Sequence, residues 1–487
     1  MTAATEFMPV IGLEVHAQLT TRSKMFCSCR ADYAGASPNS HTCPICSGMP
    51  GALPAVNARA IEMGILTALA LNCRIPEASR FDRKNYSYPD LPKGYQITQY
   101  AEPIGEDGWI EFTLDGVTHR AGIVRVHLEE DTGKSTHVSA PGGDVTLVDY
   151  NRSGVPLMEI VSAPDLDSPD AARAYFAALR QILMYLGVND GNLQEGSLRA
   201  DVNVSLRSAE GEIGTKVEIK NLNSFRAVQR ALEYEIDRQR RALDSGERLQ
   251  QETRGWSETE EVTFSQRSKE FAHDYRYFPE PDLPPLRVSQ ETVDEVRHSM
   301  PELPATRERR FVEEYALSPY QAGVLTSERE TGDFYERAVR AGTRVPPATI
   351  ANWVTGDLMR LVNESGKSLA QSAITPGTLE SLLTMIGSGE ISGAAGKQVL
   401  VRMFADGGEP QTIVDELGLR QVSGRDDIET LVDRVIADNE KLVATYRGGK
   451  GNAIQALVGR VMGASRGRAN PQVARQILEE RLGPPGS

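Results

Sequence analysis

The chain has 487 residues, too many for one ordinary core, so two to four domains are expected. Its net charge of −14 excludes a basic nucleic-acid binder of the usual kind and leaves any RNA contact to a local patch or a partner. No apolar run reaches the roughly 18 residues of a membrane helix, and Met1 to Met8 lacks a basic stretch followed by an apolar one, so a cytoplasmic location is expected.

The first stretch with a pattern is Val10 to Leu19. Ile11, Leu13, Val15, Ala17 and Leu19 alternate with Glu14, His16 and Gln18, which is the period of a strand with one polar face. Cys27 and Cys29 follow, then thirteen residues, then Cys43 and Cys46. Four cysteines on two tight turns are the usual ligands of a structural zinc ion over residues 27–46. An iron–sulfur cluster or four reduced structural cysteines are the alternatives. Cys73 lies in an apolar segment and is expected to be buried.

An apolar strand ends in His127-Leu128-Glu129-Glu130-Asp131. Adjacent glutamates on a regular strand face opposite ways, so only one of Glu129 and Glu130 is expected to contact a bound ion directly. Gly133-Lys134-Ser135 resembles the end of a phosphate-binding P-loop, but Leu128 stands where the first glycine is required. Glu159 sits among Leu157, Met158, Ile160 and Val161, a costly context for a carboxylate without a cation. Oxygen ligands with one imidazole suit magnesium or manganese.

Ser168-Pro169 predicts a helix start, apolar residues at helical spacing run to Leu186, and Gly187 ends it. Leu198 to Leu206 alternates again, with Arg199, Asp201, Asn203 and Ser205 on the polar side, and Thr215 to Lys220 opposes Val217 and Ile219 to Lys216, Glu218 and Lys220. A second helix is predicted after Asn223-Ser224, ending near Gly246. A sheet with one wet face needs no function. These strands differ in offering His, Asp, Asn, Glu and Arg, which are ligands and orienting groups. Prolines at 279, 281, 284 and 285 interrupt the chain, and helical patterns follow. The expected organisation is an α+β domain over 1–292, a helical domain over 293–405 and a small helical tail over 406–487. In that tail, Val443 to Ser487 holds seven basic residues against two acidic ones, a local charge of +5.

Taken together, several stretches resemble the GatB family, the B subunits of aspartyl/glutamyl-tRNA(Asn/Gln) amidotransferases. They are Val10 to His16, Phe81 to Tyr86, Leu128 to Asp131, Pro156 to Val161, Glu195 to Arg199 with Asp201 and Asn203, Lys220 to Ser224, and Asp274 to Pro281; Tyr446 to Pro471 looks like the YqeY-type tail of that family. The resemblance implies a glutamine-synthetase-like cradle domain with a mostly antiparallel sheet, then an all-α domain and the tail. It implies that ATP phosphorylates the side-chain carboxylate of Glu on tRNA(Gln) or Asp on tRNA(Asn), and that ammonia then displaces phosphate. A GatA amidase would supply that ammonia from glutamine and a small GatC subunit would clamp a heterotrimer. The cognate non-discriminating aminoacyl-tRNA synthetase is a further implied partner.

Carried over by position, His16, Glu130 and Glu159 look like magnesium ligands and Glu14 and Glu129 like their companions. Lys84 looks like a residue near the arriving ammonia. Arg199, Asp201, Asn203, Lys220, Asn221 and Asn223 would meet ATP or the aminoacyl group. Arg447, Lys450, Arg460, Arg466 and Arg468 would meet tRNA phosphates. Three competing expectations are a zinc-containing RNA-binding scaffold without chemistry, a stand-alone ATP-dependent ligase and a purely structural protein. The scaffold leaves Glu14, His16, Glu130 and Glu159 in apolar strands unexplained, and the ligase lacks an ammonia source.

Overall fold

The computed structural model describes residues 7–140, 143–268, 275–421, 425–465 and 468–485. Asp274 and Arg466, both singled out in the sequence, lie outside them, as does the side chain of Asn221.

In chain order the first compact unit contains β1 (Met8–Gln18), α1 (Ala58–Ala70), β2 (Ala78–Asn85), β3 (Tyr95–Glu102), β4 (Gly105–Leu114), β5 (Val117–Glu130), β6 (Lys134–Ala140), β7 (Gly143–Asp149), β8 (Pro156–Ser162), α2 (Pro169–Leu186), β9 (Leu198–Arg207), β10 (Val217–Leu222), α3 (Phe225–Asp244), β11 (Glu252–Ser257), β12 (Val262–Ser268), the short β13 (Phe278–Pro279) and β14 (Leu286–Arg287), and α4 (Gln290–Ser299). The main sheet runs β12-β11-β10-β9-β1-β8-β5-β3-β2-β13, with β4 on β5 and β14 on β2; β6 and β7 form a separate hairpin. Its pairings are antiparallel except β10 with β11. The chain is therefore α+β, as its pattern implied.

Period-2 alternation divides this sheet into an apolar and a polar face. Leu13 and Val15 of β1, Leu128 of β5, Met158 and Ile160 of β8, and Ala200 and Val202 of β9 share one core with α1, α2 and α3. Ser168 caps α2 by accepting from the Ala171 amide, and Gly187 closes it in the left-handed conformation at φ 68°. Ser224 caps α3 in the same way through Ala227. Helix α1 has no counterpart among the predicted elements. Its buried residues include Met63, Ile65, Leu66 and Ala68, so it lacks the polar stripe that gives a surface helix its period. It lies close on β5: a Cβ at Gly64 would meet the Leu128 side chain at 3.0 Å.

The first unit runs to Leu303 rather than ending at 292. Val293 of α4 is buried in the first core, and Val296, Met300 and Leu303 pack against it. The proline-rich segment interrupts the helices without ending the core. The second unit, Pro304–Ser487, is helical and has two apolar clusters. Gly407 and Gly408 break a helix near 406 as expected, yet Ile413 and Val414 beyond them still belong to the earlier cluster. The tail's own core begins at Ile428. Among the described residues, no helix is long and apolar enough to cross a membrane.

Candidate functional site

Strand register assembles the polar face. His16 pairs directly with Arg199 on β9 and with Glu159 on β8, and Glu159 pairs with His127 on β5. Side chains opposite each other on neighbouring antiparallel strands project to the same face. Arg199, His16, Glu159 and His127 therefore stand in one row across four strands. Two residues along β5 from His127, Glu129 reaches the same face.

Contacts follow from that row. His16 Nε2 and His127 Nε2 each lie 3.3 Å from Glu159 Oε2, and His127 Nε2 is 4.0 Å from Glu129 Oε2. Ligand atoms of His16, Glu129 and Glu159 all fall within 4.8 Å of one another, close enough to share one metal ion. Burial alone would raise the Glu159 carboxyl, but the neighbouring His127 and His16 outweigh it and hold it well below the carboxylate range. Burial likewise disfavours a charged His16, and Glu159 reverses the effect and raises it.

The trio expected from the sequence is corrected at one position: Glu129, not Glu130, joins His16 and Glu159. Glu130 turns to the opposite face, as alternation along β5 requires. There its Oε1 accepts from the Ile97 amide at 3.0 Å and pairs with Lys93 Nζ. Both side chains are buried, at 4% and 7% exposure. A cavity of about 210 Å³ beside them is lined by Lys24, Phe26, Cys46, Tyr95 and Asp282.

Other expected residues surround the trio at different ranges. Glu14 Oε1 accepts from Asn203 Nδ2 at 2.8 Å. Lys220 Nζ bridges Asp201 at 2.9 Å and Glu218 at 3.2 Å. Burial opposes the Lys220 charge, but those two carboxylates more than restore it. Lys84 of β2 lies against the rings of Tyr86 and Tyr275, and its ammonium is favoured, against burial, first by Glu129. Arg199 Nη2 is 3.6 Å from Asp131, which also accepts from Gln18 at 2.8 Å. Asn221 lies in β10, and Asn223 lines the cleft without a place in the trio.

Two adjoining clefts of about 250 and 720 Å³ share His16, Lys84, Glu129, Lys220 and Tyr275 in their walls. Tyr100 and Tyr277 stack 3.9 Å apart at the first, and Arg152, Tyr86 and Tyr88 line the second. Such a site, with carboxylates and imidazole for a divalent ion beside several cations, suits a polyphosphate and its metal. Sequence reasoning missed His127 and Glu218 as site members. His127 was within reach, because alternation puts it on the face of Glu129.

The four cysteines also converge: Cys27, Cys29, Cys43 and Cys46 place their sulfurs within 4.8 Å of one another. The Cys43 amide donates to Cys46 Sγ at 3.2 Å, and the buried Lys24 Nζ is 3.7 Å from the same sulfur. A hydrogen bond from Cys27, with the Cys43 amide and Lys24, pulls the Cys46 thiol down to about 4. Four free thiols this close together, with Cys46 alone biased toward thiolate, fit a metal ion. In the second unit, Arg447, Lys450, Arg460 and Arg468 are exposed.

Residues 9–294 match the family model of the GatB/GatE catalytic domain, and residues 333–482 match that of the GatB domain. The aspartyl/glutamyl-tRNA(Asn/Gln) amidotransferase B subunit of Thermomicrobium roseum is 53% identical over 481 residues, covering 99% of each chain. The B subunits of the same amidotransferase from Roseiflexus castenholzii and Moorella thermoacetica are 53% and 51% identical, over 98% of this chain and 99% and 100% of theirs.

Proposed function

Because the chain belongs to the GatB family of aspartyl/glutamyl-tRNA(Asn/Gln) amidotransferase B subunits, we propose that it is the transamidating subunit of a glutamine-hydrolysing tRNA-dependent ligase. Its substrates are ATP, ammonia and Glu-tRNA(Gln) or Asp-tRNA(Asn). A carboxylate oxygen of the tRNA-borne side chain attacks the γ-phosphorus of ATP, and the bond to the bridging oxygen breaks to release ADP. Ammonia then adds to the acyl carbon, loses a proton and expels phosphate, leaving the amide.

His16, Glu129 and Glu159 would hold magnesium, which when bound neutralises charge on the phosphates. Around them Lys220 and Arg199 are placed to meet anionic groups of ATP or the aminoacyl end, with Asp201, Glu14 and Asn203 fixing the surrounding network. Lys84, between aromatic rings and facing Glu129, is assigned to the ammonia side of the cleft. A GatA amidase supplies the ammonia, a GatC subunit completes the heterotrimer, and Arg447, Lys450, Arg460 and Arg468 contact tRNA phosphates. One observation carries this reading: register alone brings an imidazole and two carboxylates together beside Lys84, Arg199 and Lys220.

The deciding assay uses the purified three-subunit complex with ATP, magnesium and glutamine on each misacylated tRNA. Amide product that requires ATP is expected with at least one of them. No product with either, while glutamine is still hydrolysed, would remove the proposal.

We also assign the four cysteines to structural zinc. Metal analysis of the purified chain should find about one zinc per chain, the stoichiometry of a four-sulfur site. Cys46→Ser should abolish it and lower the melting temperature; zinc-free wild-type protein that melts unchanged would exclude a structural ion.

A further inference from the structure

Glu159 has two imidazoles on one oxygen, and the metal reading above uses only one of them. His127 is the other. It is more deeply enclosed than His16, with 5% against 14% of the side chain exposed. Its Nε2 faces Glu159 Oε2 at 3.3 Å, and direct strand pairing fixes that approach. Its Nδ1, like that of His16, is buried and has no hydrogen-bond partner among the described residues, so Glu159 is the group on which the ring is anchored. Glu129 Oε2 is farther from the same nitrogen, at 4.0 Å.

A carboxylate that binds a metal ion through one lone pair needs its remaining freedom removed, and a neighbouring N–H commonly does this. We propose that His127 is the positioning residue of the divalent-ion site: its Nε2–H donates to Glu159 and fixes the carboxylate for the ion, while His16 turns its own nitrogen to the metal. The inference rests on the metal reading of the cleft. It gives the two histidines different duties although both touch the same oxygen.

Manganese(II) titrated into the full-length chain and followed by electron paramagnetic resonance is the probe. His127→Phe, which fills the ring's space without a donor, should weaken manganese binding by about 10- to 100-fold, the usual effect of removing such a partner. His127→Gln, which keeps an N–H donor, should recover most of that loss. His16→Ala and Glu159→Gln should lose more than either. Wild-type affinity in His127→Phe would overturn the proposal. So would a His127→Gln variant as defective as His16→Ala, because the ring would then be a ligand. If His127→Phe does not fold, the glutamine variant decides against His16→Ala by the same comparison. Failure of the metal reading itself looks different: wild-type protein would bind no manganese, or His16→Ala would bind it normally.

Discussion

Glu129→Gln should cut ATP-dependent amidation in the assembled enzyme by roughly 10²- to 10³-fold, at least the scale of losing one preorganised polar group at a reacting centre. The substitution keeps the size of the side chain, removes its charge and turns one acceptor oxygen into an amide donor. Glu129 is 4% exposed and shares its face with His16, His127 and Glu159, so the lost charge falls on the proposed ion site and on the neighbouring Lys84. The partner amidase should go on hydrolysing glutamine, because nothing in the change reaches that reaction. Parallel assays of amide formation and glutamine hydrolysis separate the two. Amidation at the wild-type rate in Glu129→Gln would remove the residue from the metal site and with it the mechanism proposed for the cleft.

Glu130→Ala should act on stability instead. Its partner Lys93 is 7% exposed, and deletion of one member of a buried ion pair leaves the other without a counter-charge. Such deletions cost about 3–5 kcal/mol. One further side-chain bond is lost with the pair, and a backbone bond beside it stays. Glu130 Oε1 also accepts from the Ile97 amide, and Gln96 donates to the Glu130 carbonyl at 2.7 Å. These bonds fasten β3 to the end of β5 next to the direct pairing of Thr98 with Glu129. Calorimetric melting of the variant should show an early transition for the first unit, and Lys93→Met combined with Glu130→Leu should recover much of it. A Glu130→Ala protein that melts like wild type would mean that the pair contributes nothing.

Several central strands, the capped helices and most of the polar face are legible in the residues alone. Alternation and N-caps are local signals, and β1, β9, α2 and α3 carry them within their own residues. The cysteine spacing is equally local. What local pattern cannot give is the phase of one strand against another. Alternation says that Glu129 and Glu130 face opposite ways, but choosing the face requires knowing that Leu128 lies under Gly64 of α1. With Leu128 in the core, Glu129 falls on the polar side. Helix α1 itself escapes because burial removes the amphipathic stripe. The packing of the first unit runs past the expected boundary because prolines report where helices stop, not where a core stops. Val293 and Leu303 still pack inward beyond them.

The hairpin of β6 and β7 joins β5 to β8 and stands outside the main sheet. Insertions or deletions accommodated there need not disturb the lattice of inter-strand bonds. One residue removed inside β8 would turn Glu159 inward and Met158 outward at once. The cleft therefore tolerates length variation in that excursion and almost none in the strands on either side. A transplanted or circularly permuted version of this unit should be opened at the hairpin.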